Sequence, residues 1–209
     1  DTELNAEEWA QLKNLLTEFA DIFSSHSHDY GKTNLFTHSI NTGDAAPIKL
    51  CPYRTSSATQ AVLQQEVSKL LDHNIIEESY SPWSALVVLV RKKDGTYRFC
   101  VDYRRLDVTI KESHPLPQVD DTLDRLSGAR VFSTIDLTAG YWQTPLNPND
   151  KEKTAFSTGT GLYQFRMMPM DISNAPPSFQ RLMGLRLFDL LRRYYRLQCR
   201  FPTTLTALT

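Results

Sequence analysis

Residues 84–101 read SALVVLVRKKDGTYRFCV, two runs of β-branched and aromatic residues on either side of a charged stretch that ends in Asp94-Gly95. An Asp-Gly pair in that setting signals a tight β-hairpin, because glycine enters the left-handed backbone region that reversing the chain demands. A lone hairpin is marginal in water, so the pattern calls for further strands and a layer packed on them. The apolar run ALVVLV at 85–90 is six residues long, far too short to cross a bilayer, and the acidic start DTELNAEEW lacks the basic-then-apolar character of a signal peptide. A soluble chain with no membrane partner is expected. Its 209 residues, 41% of them hydrophobic, suffice for one large domain or two small ones. Cys51, Cys100 and Cys199 are too widely spaced for a zinc knuckle or a disulfide framework, which suits a reducing compartment.

The formal net charge of −1 conceals an asymmetry: residues 1–24 hold six acids against one lysine, whereas RKKDGTYRFCVDYRR at 91–105 holds six bases against two acids. Bases interleaved with Tyr97, Phe99 and Tyr103 suit a surface that tracks phosphates and stacks on bases. The same bases also suit the solvated face of a hairpin, and composition alone leaves both readings open.

Other elements follow from spacing. Asn5 and Glu8 form a capping pair ahead of an amphipathic helix carrying Trp9, Leu12, Leu16, Phe19 and Phe23. Residues 24–56 lack helical period and read as an extended arm packed on a neighbouring surface. Within them INTGD resembles an aspartic-protease triplet with Asn41 in place of the acid, and His26 and His28 read as solvated rather than metal-binding. A second helix is predicted over 58–72 with Val62, Val67, Leu70 and Leu71 inward, then a loop, HNIIEESYSPW. After Pro115 and Pro117 comes a short helix, VDDTLDRLSG, with Val119, Leu123 and Leu126 inward and Gly128 as its stop. In VFSTIDL, Val131, Ser133 and Ile135 share one face and Phe132, Thr134 and Asp136 the other, which exposes Asp136 near the strand end. NPND marks a turn, TAFST and LYQFRMM pair about GTG, and Pro176-Pro177 open a helix with Phe179, Leu182 and Met183.

Taken in order, SPWSALVVLVRKKDGTYRFCVDYRRLD, PLPQVDDTLDRLSGARVFSTIDLTAGYWQ, KTAFST, GLYQF and NAPPSFQRLM resemble the reverse transcriptase of gypsy-type long-terminal-repeat retroelements, over about residues 15–183. The resemblance implies an α+β right-hand polymerase fold, fingers with a partial palm and an incomplete palm sheet. Residues 1–56 then correspond to a linker or N-terminal extension, 57–183 to fingers and first part of palm, and 184–209 to a divergent tail. It implies an RNA-directed DNA polymerase that uses Mg2+, with Mn2+ as a substitute. The partners would be a primed RNA or DNA template, deoxynucleoside triphosphates and the remainder of a Pol polyprotein, in the cytoplasm or in a retroelement particle. By the same resemblance Asp136 is a catalytic metal ligand, and Leu137 offers its carbonyl to that metal. Tyr141 is the gate that crowds a ribose 2′-hydroxyl, and Lys92 and Arg98 grip the triphosphate, with Lys93 a neighbour in uncertain register. Asp102 and Arg104 brace the fingers, and Gln143 and Gln180 reach template or palm backbone.

Two departures limit this expectation. The family's Tyr-x-Asp-Asp pair is absent after Met183, where Asp189 is the sole acid; Asp120-Asp121 precede Asp136 in a helical pattern and do not replace it. The tail 184–209 holds five arginines and no lysine, as if another reading frame had been translated, and the edge of the Asp136 strand is expected to stay unpaired. Where the family reads Met-Pro-Phe-Gly-Leu, this chain has Met168-Pro169-Met170-Asp171-Ile172, which puts a carboxylate where glycine stands. The alternatives are therefore a polymerase portion that is catalytic only in a longer polypeptide, or an inactive remnant that binds nucleic acid through its basic hairpin. A two-metal nuclease is disfavoured, since no further carboxylates cluster around Asp136.

Overall fold

The computed structural model describes residues 5–26, 29–93, 95, 97–104, 108–113, 132–134, 136–184 and 204–206. Its helices include α1 (Ala6–Glu18) and α2 (Ser57–Asp72), and its strands are β1 (Ile76–Glu78), β2 (Ala85–Arg91), β3 (Tyr97–Asp102), β4 (Phe132–Thr134), β5 (Phe156–Ser157), β6 (Leu162–Phe165) and β7 (Thr204–Thr206). The hairpin forms where the Asp-Gly signal puts it. β2 and β3 pair antiparallel from Leu86↔Asp102 to Arg91↔Tyr97, and Gly95, at φ +83°, donates its N–H to the Lys92 carbonyl at 3.1 Å.

The chain divides into two compact units, one of Asp1–Gly31, Pro117–Thr138 and Arg193–Thr209, the other of Lys32–Leu116 and Ala139–Arg192. In the first, α1 opens with a complete capping box: the Glu8 N–H donates to Asn5 Oδ1 and the Asn5 N–H to Glu8 Oε2, each at 2.8 Å. None of its residues is buried, and Trp9, Leu16, Phe19 and Phe23 are exposed. β4 pairs in parallel with β7 through Phe132↔Thr204 and Thr134↔Thr206. The edge expected to stay open beside Asp136 is thus hydrogen-bonded by the tail, whose arginine-rich composition gave no strand signal. The short helix VDDTLDRLSG with Asp120 and Asp121, and Asp189 of the tail, lie outside the described residues.

The second unit is built on a five-stranded sheet in the order β1-β6-β5-β2-β3, antiparallel except for the β5–β2 pair. Phe156 on β5 is fully buried at its centre, with Phe99, Phe165 and Tyr163 rings 5.5, 5.4 and 6.0 Å away. Helix α2 buries Val67 and Leu70 as predicted, with Leu63 buried in place of Val62 and with Val62 and Leu71 half-buried at the edge of the stripe. The IIEES stretch read as loop instead forms β1, because Ile75 and Ile76, both 2% exposed, must be covered and β6 supplies the pairing edge.

The arm over 32–50 packs on its own chain, a non-local outcome that composition could not show. His38 bridges to Leu146 and Lys49 to Ser84, and the Thr33 N–H donates to the Gln143 carbonyl at 2.8 Å. Asp150 holds the arm most firmly. Its Oδ2 accepts the Ile40 N–H at 3.1 Å, its Oδ1 accepts Lys153 Nζ at 2.7 Å, and that ammonium also donates to the Ile40 carbonyl at 2.6 Å. Asp150→Ala leaves the Ile40 N–H and the ammonium without this acceptor and should cost about 2 kcal/mol, read as a lower urea midpoint with unchanged slope.

Candidate functional site

Asp136 lies two residues beyond β4, exposed, and Leu137 beside it is 37% exposed. One residue further, Thr138 Oγ1 shares a 3.0 Å hydrogen bond with Ser24 Oγ, tying the post-strand turn to the segment after α1. Asp136 and Leu137 belong to the first unit; Lys92, Arg98 and Tyr141 belong to the second. Among the described residues no group of three or more His, Cys, Asp or Glu side chains is placed to hold a metal. Asp136 thus offers one accessible carboxylate, a donor set that fits part of a two-cation centre. His26 is exposed, and His28 lies outside the described residues.

Lys92 and Arg98 share the β2–β3 hairpin and are both exposed, as is Lys93. Arg98 directs Nη2 to the Met170 sulfur at 3.9 Å. Cys100, two positions along the strand, has its thiol pushed up by burial and by the Asp171 carboxylate, with the Arg98 guanidinium opposing them. The aromatic interleaving read as a stacking surface is corrected by the geometry. Phe99 faces Phe156, and Tyr103 is 5% exposed with its hydroxyl donating to the Thr154 carbonyl at 2.8 Å; of the three, Tyr97 remains exposed. Strand alternation turns Phe99 into the core and leaves Arg98 on the opposite side. Asp102 accepts the Arg104 Nε at 2.8 Å and Nη2 at 2.7 Å, a local fork.

Tyr141 sits on a short 3-10 turn, Gly140–Gln143, entered through Ala139 at φ +48°. Its ring is half-buried and lies 5.0 Å from the Phe179 ring at 55°, against the cluster of Met168, Ala175 and Phe179. Burial pushes its phenol up. Phe179, at helical spacing on 175–184, and Met168, in the segment after β6, carry no recognisable signal beyond apolarity. Gln143 serves through its carbonyl, and Gln180 is half-buried on the helix over 175–184.

The profile of the family described as reverse transcriptase (RNA-dependent DNA polymerase) matches residues 90–201, more than half of the chain. The chain belongs to the reverse transcriptase family. It is 34% identical over 197 residues to the retrovirus-related Pol polyprotein from transposon 297 of Drosophila melanogaster, covering 91% of this chain and 19% of that protein. It is 32% identical over 189 residues to that from transposon gypsy of the same fly, covering 84% and 18%. An RNA-directed DNA polymerase homolog of Oenothera berteroana is 43% identical over 98 residues, 46% of this chain and 69% of that one. The chain therefore spans less than a fifth of the length of these Drosophila polyproteins.

Among solved structures, the foamy viral protease-reverse transcriptase in complex with RNA/DNA hybrid superposes with a TM-score of 0.73 at 23% identity, over 91% of this chain and 25% of that one. Its complex with dsDNA, in the form designated dRH, gives 0.71 at 26%, over 91% and 33%. The fold is that of a right-hand polymerase, α+β with a partial sheet, and the ordered motifs are those of gypsy-type retroelements. Reverse transcriptases generally work with a divalent metal. Among the described residues no helix is long and apolar enough to cross a membrane.

Proposed function

We propose that this chain is the fingers and first palm portion of an RNA-directed DNA polymerase that extends a primer on an RNA or DNA template, inside the cell in the cytoplasm or the element's particle. The observation that carries the reading is an exposed carboxylate, Asp136, two residues beyond a strand within the stretch that matches the family. Asp136 and the Leu137 carbonyl would hold magnesium, or manganese in its place. Two such cations, when bound, supply charge neutralisation on the triphosphate and a lowered pKa for the primer 3′-hydroxyl. Lys92, a mobile point charge, and Arg98, a planar donor fork, would orient the triphosphate of a deoxynucleotide. Tyr141, backed by Phe179, would reject a ribose 2′-hydroxyl by clash rather than by affinity. The remainder of the Pol polyprotein would contribute the second carboxylate pair.

The sequence after Met183, with one acid and no Tyr-x-Asp-Asp, favours a second reading, a non-catalytic remnant that binds nucleic acid through the basic hairpin. Both readings expect binding of a primer-template duplex that weakens with salt, by about 0.9 logarithmic units of affinity per tenfold salt for each neutralised phosphate. Fluorescence anisotropy over a salt series checks this, and an affinity indifferent to salt would remove the hairpin from the interface. A longer polypeptide carrying the second carboxylate pair separates the two readings: incorporation of deoxynucleotide supports the polymerase, and its absence the remnant.

A further inference from the structure

Helix α1 defines its own start and leaves its apolar side uncovered. The reciprocal Asn5–Glu8 bonds, each 2.8 Å, close its N-terminus locally, and no residue of the helix is buried. Among the described residues, six of the fourteen exposed large hydrophobic side chains fall between Trp9 and Phe23: Trp9, Leu15, Leu16, Phe19, Ile22 and Phe23 are 42% to 69% exposed. A concentration of this kind marks a surface that meets another polypeptide.

The spacing and the charges say which one. Trp9, Leu12, Leu16 and Phe19 recur at alternating steps of three and four, the a and d positions of two heptads, with Phe19 at the C-cap. On the same wheel Leu15 widens the stripe at g, while Glu7 and Glu18 fall at f and c, away from it. Two charges flank the seam, Glu8 at g and Lys13 at e. In a parallel pair, g of one helix faces e of the other, so Glu8 of each copy meets Lys13 of its mate. An antiparallel pair sets e beside e and brings the two lysines together. The face is thus complementary to itself in the parallel sense.

We infer that α1 is a self-association surface, on which a second copy of this chain seats its own α1 in parallel through Trp9, Leu12, Leu16 and Phe19. A helix of 13 residues is marginal on its own in water, and pairing supplies the burial that the rest of the chain does not give it. Because Ser24 Oγ shares a hydrogen bond with Thr138 Oγ1, the pair gathers the turns after β4 of both copies at the C-terminal end of the seam. The contact uses no residue of the proposed polymerase site.

Size exclusion with light scattering reads the mass of the 209-residue chain over a dilution series at low salt. The mass should approach twice 23.9 kDa at the concentrated end and fall to the monomer on dilution. Leu16→Glu, at an exposed position, leaves the fold in place and should weaken association at least about tenfold by putting a charge into the seam of each helix. Lys13→Glu and Glu8→Lys each set like charges across the seam and should each weaken it roughly threefold to tenfold. Mixed in equal amounts, these two variants regain both opposite-charge pairs and should bind each other more tightly than either binds itself, a recovery that loss of the Glu8 cap cannot produce. Monomer at every concentration overturns the inference and leaves the face to a different polypeptide. Association that survives Leu16→Glu overturns it as well, because the copies then meet elsewhere. A mixture no tighter than its components removes the parallel pairing and the inference with it.

Discussion

No deoxynucleotide should be incorporated on a primed RNA template by the purified 209-residue chain, with magnesium or with manganese. In a longer polypeptide that supplies the second carboxylate pair, Asp136→Asn should lower incorporation by about a thousandfold or more. Both expectations come from how a phosphoryl-transfer site works. Catalysis there is positioning and charge neutralisation, with little covalent chemistry for the protein to do. Magnesium dehydrates reluctantly and is held weakly by one carboxylate and its waters, so Asp136 alone, exposed beyond β4, would retain it poorly. The asparagine is nearly isosteric and leaves the fold in place, so a lost activity reports the lost charge. Primer extension on a gel reads both outcomes. Incorporation by the 209-residue chain that Asp136→Asn abolishes would show that Asp171 or Asp189 supplies the missing ligand, and the tail would need a different account.

The second large effect is on stability in acid. His38 is fully buried, with Nδ1 2.9 Å from Ser178 Oγ, and its Nε2 is buried with no hydrogen-bond partner among the described residues. Burial lowers its pKa from 6.5 to about 4; the Glu112 and Asp150 carboxylates pull it up, and Arg181 pushes it down. The folded value lies below the unfolded one, so as pH falls the unfolded chain takes up the proton first. Stability is therefore complete above about pH 6.5 and is lost progressively down to about pH 4, by about 3 kcal/mol at 1.36 kcal/mol per unit. Urea midpoints measured from pH 7 to pH 4 should fall more steeply for the wild type than for His38→Gln, which has nothing to titrate there. Parallel curves for the two proteins would mean that His38 is not the group responsible.

What the sequence made legible was local. The Asp-Gly hairpin, the Asn5–Glu8 capping box and the Asn147-Pro148 turn each depend on residues a few positions apart, and each formed. The three-residue strand β1 was too short for a period of two to declare itself. Asp136 is exposed, as expected, though it lies beyond the strand; alternation applied to β3 would have taken Phe99 out of the proposed stacking surface. Seating of the arm was not legible, because the partners of His38 and Ile40 lie more than a hundred residues away, at Ser178 and Asp150. The support of Tyr141 by Phe179 is likewise a tertiary fact, spelled by two aromatic residues that could equally have met other neighbours.

The seating of the arm also bears on proteolytic maturation. If this chain is released from a polyprotein, a cut inside residues 32–50 would sever the segment that completes the second unit: His38 would be parted from Ser178 and Ile40 from Asp150. The backbone there is tied at Thr33, His38, Ile40 and Leu50, whereas a protease needs a stretch that can leave its surroundings and lie extended in a cleft. A cut that leaves the second unit whole therefore falls outside residues 32–50, and the arm stays with that unit.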